Sequence, residues 1–336
     1  MKLLSEDCIQ IKNDMFFFAK NCNIFFSLNI CNGQIRLLDS VKEEHISEER
    51  LFSKILQWNK NLIFIPMNAK KIWILDKETF IWKSIRLEEY EEYNSKFYQG
   101  YIKNEYLYMI GCSVPAIVKV NLNTYEYKSI LFPLREKREY YFRSDYIEVD
   151  NKLLLASYFD NSIMYFDLVD ETIEFKEIGH ENNMYSGICY DGQNYWLSPR
   201  YNTAIIKWDG YDNTIEYNYI AENKKKCAYN GIFYYKKNVC LLARMGSTYI
   251  INSIDGSYIE KNCNYIFAKK INGNLVVLDS NGELTVESGN QTKKYELNYD
   301  LEAIKQFLKE NNNYVNSKIL KETNVFDLEM YLHNIK

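Results

Sequence analysis

Proline, glycine and histidine are scarce, with four, thirteen and three among 336 residues. So little proline and glycine excludes collagen-like repeats and low-complexity disorder, and three histidines leave little material for imidazole chemistry. No run of 18 apolar residues is present to span a membrane, and no basic segment precedes a short apolar core as in a secretory leader. A cytoplasmic chain without membrane contact is the expectation. Positive charge is not in excess, because 41 Lys and Arg against 45 Asp and Glu give a net charge of -4. A nucleic-acid partner is therefore not expected, since phosphate-backbone binding needs a strongly basic face. The eight cysteines include no CxxC pair and no Cys/His set at metal spacing. They read as reduced packing residues, with no metal and no other cofactor implied. GxSxG, HExxH, P-loop and Rossmann fingerprints are missing as well.

What is present is a core-forming composition, 47% apolar and 26% charged, in a chain long enough to bury roughly 75% of its unfolded surface without disulfides or metals. The thirty tyrosines accompany abundant Asn, Lys and Ile. All four residue types have A/T-rich codons, so base composition explains the tyrosines without a dedicated aromatic surface.

An Asn ahead of an apolar run recurs seven times, at Asn13, Asn61, Asn104, Asn151, Asn194, Asn238 and Asn274, spaced 36 to 48 residues apart. About ten residues after each, a second apolar run begins near Ile24, Ile72, Ile117, Ile163, Ile205, Tyr249 and Leu284. It closes in a polar turn such as "DKET", "NLNT" or "DGYDNT", followed by a third strand such as "FIWKSIRL". One more strand lies before each Asn, as in "KFYQGYI", "MYSGICY" and "AYNGIFYY". Four strands per copy at this period predict an all-β protein, a seven-bladed β-propeller of four-stranded antiparallel sheets; six blades with a malformed first is the alternative. The turn pattern resembles the φxφDxxT hairpins of bacterial propellers of the kelch, NHL and streptogramin-lyase type, over about residues 8 to 298.

Residues 1–298 are thus assigned to the propeller and 299–336 to a C-terminal tail. In the tail, Leu301, Ile304, Phe307 and Leu308, then Val325, Leu328, Tyr331 and Leu332, fall at helical spacing, with Asn324 as N-cap of the second helix. Either the two apolar faces cover the seam between blades 7 and 1, or they bind a partner or a second copy. The oligomeric state stays open.

In a propeller, the first strand of each blade starts on the face where the second ends, beside the channel. This rule collects Tyr98, Gln99, Arg143, Ser144, Tyr185, Ser186, Tyr229 and Asn230 from first-strand starts, and Asn68, Ser113, Tyr158, Arg200 and Arg244 from second-strand ends. Arg143, Arg200 and Arg244 are expected to converge on one mouth, where guanidinium groups suit a carboxylate or phosphate and Tyr98, Tyr185 and Tyr229 pack the organic part. Alternatively each arginine pairs with an acid such as Asp145 or Asp191. Gly100, Gly187 and Gly231 either relieve crowding or admit a ligand. The expected function is non-enzymatic binding of an anionic small molecule, a peptide or a partner protein. The alternative is a lyase- or hydrolase-type enzyme at the same mouth with His180 and Glu181 as catalytic residues, by resemblance to propeller lyases.

Overall fold

The computed structural model describes residues 1–41, 43–44, 49–181, 183–200, 204–218 and 228–311. They form seven four-stranded antiparallel sheets, each ordered along the chain from the inside outward. Blade 1 holds β1–β4 (Cys8–Ile11, Asp14–Phe18, Phe25–Asn29, Ile35–Asp39) and blade 2 holds β5–β8 (Phe52–Trp58, Asn61–Pro66, Lys71–Asp76, Trp82–Arg86). Blade 3 holds β9–β12 (Phe97–Lys103, Tyr106–Gly111, Ala116–Asn121, Tyr127–Leu131) and blade 4 holds β13–β16 (Ile147–Val149, Lys152–Ala156, Ser162–Asp167, Ile173–Glu177). Blade 5 holds β17–β20 (Tyr185–Tyr190, Tyr195–Pro199, Ile205–Trp208, Thr214–Tyr217) and blade 6 holds β21–β24 (Ala228–Tyr235, Asn238–Met245, Thr248–Asn252, Tyr258–Lys261). Blade 7 holds β25–β28 (Tyr265–Ile271, Asn274–Asp279, Glu283–Ser288, Gln291–Glu296), followed by helix α1 (Leu301–Asn311). Seven blades replace the six-blade alternative, and blade 1 is complete.

The repeated turn has a local cause. An Asp or Asn at the end of the third strand accepts backbone N–H bonds two or three residues on: Asp76 from Glu78 and Thr79, Asn121 from Asn123 and Thr124, Asp167 from Val169 and Asp170. Such Asx turns close the hairpin with the side chain the sequence repeats. The first hairpin of each blade uses left-handed residues, among them Asn104, Asp150, Asn151, Lys236 and Lys237, as tight two-residue turns require.

Apolar side chains sit between blades rather than within them. Ile63, Ile65 and Ile72 of blade 2 meet Phe97, Leu107 and Met109 of blade 3, and the same layering repeats around the ring. This is why the inner strands read as apolar on both faces. Lysines strap neighbouring blades together: Lys176 donates to the Tyr211 carbonyl (2.7 Å), Lys207 to that of Ser253 (3.1 Å) and Lys236 to that of Gly289 (3.1 Å).

Among the described residues no strand is shared at the closure. Residues before blade 1 run beside those after blade 7, with Leu3 N–H on Leu297 O (2.7 Å), Tyr299 N–H on Met1 O (2.9 Å) and a Lys2–Asn298 bridge. Asp300 accepts from Glu302 N–H at the start of α1 (2.9 Å), and Ile304 of α1 is buried in the layer between blades 7 and 1. The proposed second helix lies outside the described residues, as do His45, His333 and Cys227. Among the described residues no helix is long and apolar enough to cross a membrane.

Candidate functional site

The innermost strand starts with a recurring irregularity. Register shifts leave Ser53, Tyr98, Ser186, Asn230 and Ile266 as extra residues in β5, β9, β17, β21 and β25, all at the same end of the ring. A bulge re-aims the side chains beside it. At this mouth it brings charged groups from distant parts of the chain into the channel.

Two sets of ion pairs follow. Lys54 meets Asp145 (2.9 Å) and Lys269 meets Asp7 (2.6 Å), while Asp7 also accepts from Ile55 N–H (2.9 Å) and Asp145 from the Gln99 amide. Burial alone would raise the Asp145 carboxyl, but Lys54 holds it below its ordinary value. Burial would likewise lower the Lys54 ammonium, and Asp145 and Asp7 raise it instead. The void lined by Glu6, Asp7, Lys54, Tyr98, Gly231 and Lys269 offers only about 20 Å³ to the centre of a water molecule, room for one or two waters and not for an organic molecule.

Glu6, on the wall of the same void, binds both Lys20 (3.0 Å) and Arg50 (3.1 Å). Burial would raise its carboxyl, yet Lys20 and Arg50 hold it down, with Arg143 contributing. The Tyr98 hydroxyl is pushed up to about 12 by burial and then by Glu6. The Arg143 guanidinium lies 5.2 Å from the ring centre of Tyr140 and 5.5 Å from that of Tyr158. Arg200 packs on the same Tyr158 ring at 3.6 Å and donates to the Tyr158 carbonyl.

The structure therefore brings Arg143, Arg200 and Tyr158 together, with Tyr98 on the channel wall. Arg244 is exposed in β22, with no contact to either arginine among the described residues. The acids that might have paired with the arginines are engaged elsewhere. Asp145 binds Lys54 and Gln99, and Asp191 caps its own turn at Gln193 and Asn194 and binds the Trp196 indole.

The remaining candidates are buried or distant. Tyr185 is 0% exposed and donates to the Ile178 carbonyl. Ser186 bonds Ser198 (2.9 Å), Asn230 donates to the Tyr265 carbonyl (2.6 Å), and Tyr229 belongs to the layer between blades 5 and 6. Ser144 is buried next to Arg143 in the chain, its hydroxyl without a hydrogen-bond partner among the described residues. His180 is 83% exposed at the rim, 4.0 Å from Glu216 of outer strand β20, and Glu181 beside it is exposed.

Burial pushes the Cys8, Cys22, Cys112 and Cys240 thiols up to about 12, as suits packing residues. Glycine roles divide. A Cβ on Gly100 would fall 2.8 Å from Ile65, and one on Gly187 3.0 Å from Ile232, whereas Gly231 has nothing within 4 Å and opens on the void.

Sequence reasoning missed Glu6, Asp7, Lys54 and Lys269. A signal existed for one of them: matching "FSKILQW" to "FYQGYI" puts Lys54 in the position of Gln99, just after the bulge.

No family model matches the chain, and no curated protein matches its sequence. Solved structures do. Streptogramin B lyase is similar with a TM-score of 0.60 at 12% identity, over 88% of this chain and 94% of that one. Virginiamycin B lyase from Staphylococcus aureus gives 0.63 at 12% identity, over 83% and 94%. BamB from Moraxella catarrhalis gives 0.58 at 12% identity, over 88% and 89%. The chain is a seven-bladed β-propeller. At such identities the likeness is one of fold, and it includes proteins named as enzymes beside one that is not.

Proposed function

We propose that this propeller is a binding module that recognises an anionic group at the channel mouth, carried by a small molecule, a peptide or a partner protein. One observation carries the reading. Among the described residues Arg143 meets no carboxylate, and Tyr140 and Tyr158 hold its guanidinium by ring contacts that leave its donors for an acceptor from outside. The small void below supports a ligand that rests on the mouth and sends only its charged tip inward.

The test is thermal unfolding against a panel of small anions and acidic peptides, in the wild type and in an Arg143/Arg200/Arg244 triple alanine variant. A ligand of the folded state raises the midpoint by mass action, about 2.7 kcal/mol at a hundredfold excess over Kd. The expected result is a shift that the variant loses and His180→Ala retains. A shift retained by the triple variant would sink the reading. Dependence on His180 would favour the enzyme alternative.

A further inference from the structure

Two of the carboxylates at the channel, Glu6 and Asp7, come from the segment that leads into β1. Ser5 fixes its corner, donating to the Asp7 carbonyl (2.6 Å) and accepting from the Asp7 N–H (3.3 Å). The two acids are held differently. Asp7 uses both oxygens, Oδ1 on Lys269 and Oδ2 on the Ile55 N–H. Glu6 uses one, because Lys20 and Arg50 both approach Oε1, and Arg50 does so through Nε. The terminal amino groups of Arg50, the pair that suits a two-oxygen acceptor, have no hydrogen-bond or ion-pair partner among the described residues. Glu49, next in the chain, makes no ion pair with Arg50 among those residues. The Lys20 and Arg50 side chains are 19% and 25% exposed, so an acceptor from outside can reach both. Arg143 lies near enough to help hold the Glu6 carboxyl down.

We propose that Glu6 is an internal occupant of the anion site: its carboxylate stands where a ligand carboxylate binds, and an external one displaces it from Lys20 and Arg50. This rests on the reading above that the mouth takes an anion, and adds regulation by the chain's own acidic segment. A carboxylate that reaches the terminal amino groups of Arg50 with two oxygens makes the two-pronged contact that Glu6 does not. A site filled from within binds an outside ligand more weakly, in proportion to the fraction of molecules in which it stands empty. Glu6 thus sets a threshold that a well-matched carboxylate passes and a poorly matched one does not.

The experiment is calorimetric titration of the full chain with sodium acetate at neutral pH, in sodium chloride that keeps the ionic strength constant, for the wild type, Glu6→Gln and Glu6→Ala. Acetate restores the atoms that the alanine variant lacks. Alanine vacates the place, whereas glutamine removes the charge and keeps the place filled. The expected result is acetate binding at least about fivefold tighter in Glu6→Ala than in the wild type, with Glu6→Gln between them. The gain should vanish in Glu6→Ala/Arg50→Ala. Equal binding by wild type and Glu6→Ala would overturn the internal occupant while leaving an anion site. Equal gains in Glu6→Gln and Glu6→Ala would overturn it too, because Glu6 would then act by its charge and not by its place. A gain that survives the loss of Arg50 would overturn the assigned position. Binding by none of the variants would overturn this inference alone, since the mouth is judged separately by the unfolding panel with the triple arginine variant. Melting curves check folding, and a Glu6→Ala chain that folds in acetate but not in chloride would show the same refilling of the site.

Discussion

Blade 7 has two seams, and they are built very differently. Against blade 1 it packs Phe267, Val276 and Leu278 on Met15, Phe17 and Phe26, with Leu3, Leu297 and Ile304 added from the flanking segments. Against blade 6 the buried apolar layer is Leu242, Ala268 and Leu275, next to the channel void. Blades 6 and 7 are joined by a short connection from Lys261 to Tyr265, so the peptide keeps them together at little entropic cost. No peptide joins blades 7 and 1. That junction must be held by contacts alone, and the apolar area, backbone bonds and α1 are concentrated there.

Breaking the closing seam should cost most at Asp7, which is 3% exposed and ties β1 to Lys269 of blade 7 and to the backbone of blade 2. Asp7→Ala leaves the Lys269 ammonium without its carboxylate, with only the Cys8 carbonyl to accept from it, and the Ile55 N–H without an acceptor, and a loss of roughly 3–5 kcal/mol is expected by urea denaturation. Next, Leu3→Ala should lose about 3–4 kcal/mol and Leu242→Ala about 2 kcal/mol, because a site beside a void has fewer contacts to forfeit. Equal losses would break the comparison.

Glycine substitutions sharpen it. Gly100→Ala, pressed against Ile65 in a well-filled seam, should cost about 1–3 kcal/mol, and Gly231→Ala at the thin seam less than about 0.5 kcal/mol, read from thermal midpoints.

The closing side should also weaken in acid. Glu6 is held below its ordinary value, so its ion pairs stabilise fully above the unfolded carboxyl range and are lost as pH falls through the folded value. The urea midpoint should drop below about pH 4.5, with a shallower slope in Glu6→Gln. The smallest effect on stability is expected for Arg143→Ala, below about 1 kcal/mol, since no ion pair among the described residues is broken. A larger loss in that variant would mean that Arg143 holds the ring together.

Much of the fold was legible because its signals are local. Asp76, Asn121 and Asp167 close their own turns, and residues such as Asn104 and Asn151 adopt the left-handed hairpin conformation. The mouth was legible only in part. The strand rule brought Arg143, Arg200 and Tyr158 to one place, but it could not tell Tyr98, which lines the channel, from Tyr185, which is fully buried, although "YQG" and "YSG" look alike. The difference depends on the bulge, which leaves Tyr98 and Ser186 as the extra residues one position apart in their motifs.

The sequence by itself determined the propeller class, the four strands of each repeat and the face on which the first strands begin, because these follow from periodicity and from side chains that bond their own backbone, whereas the structure decided between seven blades and six. Only the tertiary structure decided which charges meet. Glu6 with Arg50, Asp7 with Lys269 and Lys54 with Asp145 are remote in the chain, and no local pattern encodes such pairs. They arise when closing the ring carries the start of each blade to one axis, where burial makes an unpaired charge costly.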